Sequence, residues 1–69
     1  MRIALGKGVI IPPHQGGHAV FFLVIQGKGI FTCGEEDVEL AQNQCVYIKA
    51  NETRGIQALE DLVVFVVKD

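Results

Sequence analysis

Seven apolar residues in a row, Ala19–Ile25 ("AVFFLVI"), lie between His18 and Gln26. The run is far short of the roughly 20 residues that span a bilayer as a helix. It is rich in β-branched and aromatic residues, the composition of a strand. A strand with one wet face alternates polar and apolar residues. This one does not, so both of its faces must be covered. Leu62–Val67 ("LVVFVV") makes the same demand. One face of each strand can line an internal core. The other needs a second sheet or a second molecule.

The rest of the chain is cut into similar short pieces. No long window repeats apolar residues at the three-and-four spacing of a helix. Residues 1–5 form a candidate strand, closed by Gly6-Lys7-Gly8. Val9–Ile11 follows and is expected to stop at Pro12-Pro13, because proline has no N–H to donate to a ladder. After Gly27 and Gly29 come Ile30–Cys33, a turn at "GEED", and Asp37–Leu40, whose "DVEL" alternation exposes one side to water. "AQNQ" is a turn, Cys45–Ile48 a strand, and "KANETRG" a polar loop. Ile56–Ala58 and Leu62–Val67 complete the series, separated by Glu60-Asp61. Seven or eight short strands joined by Gly, Asn and acidic turns predict an all-β fold, a small antiparallel sandwich or barrel. Residues 1–69 are expected to form a single domain.

A chain of 69 residues can bury only about 60% of its unfolded surface. Yet 49% of its residues are hydrophobic. The surplus predicts a homodimer or larger assembly. Phe21, Leu23 and Ile25 share one parity and are the candidate subunit interface; Val20, Phe22 and Val24 share the other. Net charge is −2, with six Lys and Arg scattered along the chain, so nucleic acid is not an expected partner. No window suits a membrane helix, and the opening "MRIALGKGVIIPPHQGG" is too broken for a signal peptide. A soluble, cytoplasmic protein is expected. Cys33 and Cys45 should then be reduced and act as small apolar side chains. A disulfide or a catalytic thiol is the alternative, without CxxC spacing to support it.

Residues 12–58, "PPHQGGHAVFFLVIQGKGIFTCGEEDVELAQNQCVYIKANETRGIQA", resemble the core of the cupins, small jelly-roll β-barrels. The likeness lies in the order of pieces. A Pro-His opening leads to a hydrophobic strand, a Gly turn, a hairpin, and "VYIKAN" before a loop. The family's first motif is two histidines separated by one residue, then a glutamate, then six residues and a glycine. With the glycine on Gly27, the glutamate position falls on Val20 and the histidine positions on His14 and Gly16. The second motif, a glycine, a proline and a later histidine, falls on Asn43, Lys49 and Arg54. Of the four metal-holding positions the resemblance implies, only His14 is kept. Glycine and valine offer no donor atom, and arginine stays protonated. The expectation is no metal and no cofactor.

Four residues are assigned to ligand binding at the barrel mouth: His14, His18, Tyr47 and Arg54. His14 and His18 share a face if the strand runs through them, unless Gly16-Gly17 breaks the register. They can be ligand-facing imidazoles, rim residues without a task, or a zinc pair completed by Cys45 or water. Arg54 offers a fork of donors suited to a carboxylate or phosphate. Its alternative is a solvated loop arginine paired with Glu52. Tyr47 can line the pocket or cap the interface. Three functional readings stay open. The first is a non-catalytic, metal-free barrel that binds a small anionic ligand and works as a dimer. The second is a small enzyme, isomerase- or epimerase-like, on sugars or keto acids, using His14 or His18 with Tyr47 as an acid–base pair. The third is a protein-interaction or regulatory module that uses the 19–25 face.

Overall fold

A computed structural model describes residues 1–68; Asp69 lies outside the described residues. Among them there are eight strands and no helix: β1 (Arg2–Leu5), β2 (Ile10–Gln15), β3 (Val20–Gln26), β4 (Lys28–Cys33), β5 (Glu36–Ala41), β6 (Cys45–Ile48), β7 (Thr53–Ala58) and β8 (Leu62–Lys68). They form two four-stranded antiparallel sheets, in the orders β1-β8-β3-β6 and β2-β7-β4-β5. The all-β expectation therefore holds.

Period-two alternation decides what lies between the sheets. From the first sheet, Val20, Phe22 and Val24 of β3 and Leu62, Val64 and Val66 of β8 point inward and are buried. Phe31, Leu40, Ile56 and Ala58 meet them from the second. Phe22 and Phe31 touch across the gap, with ring centroids 5.4 Å apart and planes tilted by 47°. Such tilted pairs contribute about 0.5–1.5 kcal/mol beyond their buried area. Of the two apolar parities of Ala19–Ile25, that of Val20, Phe22 and Val24 is the inner face, as the resemblance implies.

The chain changes sheet at Gly27, the single residue between β3 and β4. Its φ is +84°, and a Cβ there would collide with the carbonyl of Asp61. Only glycine fits such a corner. Asn43, in the turn before β6, also adopts the left-handed region, with φ +72°. It stands at the family's second-motif glycine, and asparagine tolerates that conformation better than other side chains do.

Several strand boundaries differ from the sequence reading, and two of them shape the site. β2 does not stop at Pro12-Pro13 but continues to Gln15. It is an edge strand, and its ladder with β7 slips between Ile11 and His14, where the prolines sit. Edges and bulges are the places where a missing N–H costs no ladder bond. β7 begins at Thr53 rather than Ile56, so Arg54 lies in a strand and not in a polar loop.

Candidate functional site

Arg54 follows the inward parity of Ile56 and Ala58 on β7, and it is the one buried charged residue among the described residues, at 8% exposure. Its guanidinium closes one end of the space between the sheets. Nη1 donates to the carbonyl of His18 (2.6 Å), and Nη2 donates to those of Lys49 (3.1 Å) and Glu52 (3.2 Å). Nε donates to Glu52 as well (3.3 Å). All four bonds reach main-chain oxygens and none reaches a carboxylate. A guanidinium has five N–H groups, so one Nη1 proton has no protein partner among the described residues. The expected pairing with the Glu52 carboxylate is not made. That carboxylate instead accepts from the amide of Lys49 (3.2 Å).

These contacts join two loops. Residues 16–19, between β2 and β3, carry the carbonyl of His18; residues 49–52, between β6 and β7, carry those of Lys49 and Glu52. The amide of Asn51 adds a bond to the carbonyl of Gly16 (2.8 Å), and the Gln15 side chain donates to the carbonyl of Asn51. Gly16 lets the loops come this close. A Cβ at residue 16 would stand 2.9 Å from Arg54 Cζ and 3.1 Å from Nε and Nη1.

Beside the guanidinium lies a cavity of about 180 Å³. Its walls are Ile3, Ile11, Val20, Phe22, Ile56 and Val66; its rim carries His14, His18 and Lys68. His14 pairs directly with Arg54 across β2 and β7 and is exposed, its Nδ1 3.2 Å from the carbonyl of Pro12. β2 ends at Gln15, so Gly16-Gly17 does break the strand before His18, yet the turn returns His18 to the same rim. Lys68 was not singled out from the sequence, although it keeps the parity of Val64 and Val66. Tyr47 is not brought to this site. It is 61% exposed on the outer face of the first sheet, paired with Phe21, and borders a separate depression with Ala19 and Val67. An acid–base pair of His14 or His18 with Tyr47 is therefore not assembled.

A metal ion does not fit this mouth. The side chains at 16 and 20 supply no donor atom, and a cationic guanidinium stands against residue 16. Among the described residues no three His, Cys, Asp or Glu side chains cluster as ligands. Cys33 and Cys45 are free thiols. Burial pushes the Cys33 thiol up from its ordinary value, and the charges of Glu52, Asp37 and Glu36 push it the same way. It stays protonated at neutral pH and is a poor nucleophile. No helix among the described residues is long and apolar enough to cross a membrane.

Comparison with known proteins agrees with this architecture. The family model described as "Cupin domain" matches residues 1–68. Among solved structures, a conserved protein of unknown function from Streptococcus pyogenes superposes with a TM-score of 0.93 at 21% identity, over 97% of this chain and 59% of its own. A predicted oxalate decarboxylase from Thermotoga maritima gives 0.89 at 21% identity, over 97% of this chain and 61% of its own. Salicylate 1,2-dioxygenase from Pseudaminobacter salicylatoxidans gives 0.93 at 18% identity, over 99% of this chain and 20% of its own. At these identities the likeness is one of fold, and this chain spans well under two thirds of each of the three. No curated protein matches the sequence.

Proposed function

Because the chain belongs to the Cupin domain family, we propose that it uses the family's barrel mouth to bind a small anion, with basic side chains where the family pattern has metal ligands. One observation carries this reading. Among the described residues, the charged and titratable side chains lining the cavity are His14, His18, Arg54 and Lys68, all basic, and no acidic one joins them. Over the whole sequence acidic residues outnumber Lys and Arg by eight to six. A mouth of one sign on a chain of the opposite net charge focuses field lines and raises the local concentration of an anion. The buried guanidinium adds a cation without a carboxylate partner among the described residues, and its remaining Nη1 proton can complete a charge-assisted bond. The test is a titration followed by amide chemical shifts, using sodium acetate, phosphate and sulfate against a chloride background. Saturable shifts are expected at His14, His18 and Arg54, and should weaken in Lys68→Glu. Absence of saturation with all three anions would sink the reading.

A second copy of the chain is the proposed partner. The outer face of the first sheet carries Phe21, Leu23, Ile25, Tyr47, Val63, Phe65 and Val67. Ile25, Tyr47, Phe65 and Val67 are 37%, 61%, 41% and 48% exposed. The outer face of the other sheet is mixed: Thr32, Asp37, Glu39 and Gln57 stand beside Ile10 and Ile30. Two strands of seven residues and two of four, about 4.8 Å apart, give a face on the order of 350 Å² per copy. Two such faces bury on the order of 700 Å², the size of a weak, transient contact. We therefore expect a dimer that dissociates on dilution. Sedimentation velocity should detect it, and Phe65→Lys should abolish it; a monomer at the highest soluble concentration argues against it. The two free thiols suit a reducing, cytoplasmic compartment.

A further inference from the structure

We infer that the anion is a monocarboxylate whose apolar body, about four to six carbons long or a single ring, enters the cavity while its carboxylate stays at the basic rim. This rests on the anion-binding reading above and adds to it the nature of the rest of the ligand. The walls decide it. Ile3, Ile11, Val20, Phe22, Ile56 and Val66 line the cavity, and none has a polar side-chain atom. Arg54 is the polar exception, and it stands at the end occupied by the two loops. A sugar or other polyhydroxylated acid would push its hydroxyls against these walls without partners, and each unmet group costs more than a made bond returns. Phosphate or sulfate would satisfy the rim but leave the apolar space unused.

Size sets the length. An apolar cavity of about 150 Å³ is known to hold a benzene ring. The cavity here, about 180 Å³, has room for a ring or a short chain but not for a fatty acid of membrane length. Phe22 sits in tilted contact with Phe31 and presents a fixed aromatic surface to whatever enters. The cation stands at one end of an otherwise apolar space, so the occupant should be a single charge on a greasy body, held in one orientation.

The experiment is a calorimetric and chemical-shift series on the wild-type chain. Its probes are the straight-chain acids from acetate to octanoate, together with benzoate, gluconate, phosphate and 1-hexanol. Each added methylene should tighten binding about fourfold while it finds apolar wall, the equivalent of about 0.8 kcal/mol per CH₂. The gain should level off near hexanoate. Benzoate should bind far more tightly than acetate. Gluconate and phosphate should bind no more tightly than acetate. Ile3→Trp, which fills the cavity from its half-buried edge, should remove the chain-length gain, so that hexanoate binds this variant no more tightly than acetate does. If Ile3→Trp does not fold, the wild-type series decides alone. An affinity that stays flat from acetate to hexanoate, or a preference for phosphate or gluconate, overturns the apolar-body inference and leaves the anion site standing. Equal binding of 1-hexanol and hexanoate removes the role of the basic rim, and so overturns both.

Discussion

Replacing Arg54 by methionine keeps the length and apolar stem of the side chain and removes its charge and every donor. The Arg54 guanidinium makes four hydrogen bonds to three carbonyl oxygens, those of His18, Lys49 and Glu52. Hydrogen bonds to a charged group contribute about 1.5–3 kcal/mol each. Two terms run the other way. Methionine avoids the several kcal/mol it costs to desolvate a cation, and loop carbonyls at exposed residues regain water. The carbonyl term should win, because the loops lose the only side chain among the described residues bonded to both of them, leaving a net loss of about 2–3 kcal/mol. Domains of this size hold about 0.05–0.15 kcal/mol per residue, so the loss is a large part of the total. At about 4–8 °C per kcal/mol for a small domain, the midpoint should fall by about 10–20 °C. The chain has no tryptophan, so urea and thermal unfolding are best followed by far-UV circular dichroism. Arg54→Lys supplies the control for charge. A single ammonium cannot span three carbonyls as a planar fork does, so it should recover less than half of the loss. If Arg54→Met unfolds within about 0.5 kcal/mol of wild type, the usual scatter of neutral surface changes, or if lysine restores full stability, the guanidinium is not the tie between these loops.

Gly27→Ala should be still more damaging. It adds about 1–2 kcal/mol of left-handed strain and drives a methyl group into the backbone of Asp61, so little soluble protein should accumulate; a folded Gly27→Ala protein with near-native urea resistance would contradict the geometry of the corner. Cys33 predicts an alkaline weakness. Its thiol pKa is raised in the folded state, so the stability it contributes is fully present below the unfolded-state value and is lost as pH rises through the folded one. Urea midpoints should therefore decline above about pH 9, the ordinary thiol range, and Cys33→Ala should flatten the decline. At pH 8, iodoacetamide should modify the exposed Cys45 before Cys33, and mass spectrometry of the timed products would reveal the reverse order if Cys33 were the reactive thiol.

Much of the fold was legible because period-two alternation is a local signal. "DVEL" announces one wet face without knowledge of any partner strand, whereas Ala19–Ile25 is apolar at both parities, and the family pattern rather than alternation puts Val20, Phe22 and Val24 inside. Asn43 and Gly27 mark turns by chemistry that few other residues can perform. The site was legible only in outline. Composition makes "KANETRG" a solvated loop, and nothing local says that Arg54 will be drawn inward. What draws it in is a set of carbonyls supplied by residues 18, 49 and 52, and their convergence exists only after folding. β2 ran on past Pro12-Pro13 because it lies at a sheet edge, and edge position is a property of topology. Tyr47 was misjudged as a possible mouth residue because β6 is four residues long, too short for parity to fix its inner face. Lys68 was overlooked, although the parity of Val64 and Val66 pointed to it.

The packing of Arg54 on Gly16 also bears on history. A metal-binding ancestor of the family pattern would carry histidine at both positions 16 and 54. Restoring a histidine at 16 first meets a guanidinium 2.9 Å from its Cβ. Restoring one at 54 first releases the carbonyls that hold the two loops. Each reversal is harmful until the other has been made, and Val20 would have to become acidic within an apolar wall before either was of use. From this packing, a return to the family's metal-binding pattern takes joint changes at 16, 20 and 54 rather than a series of single ones.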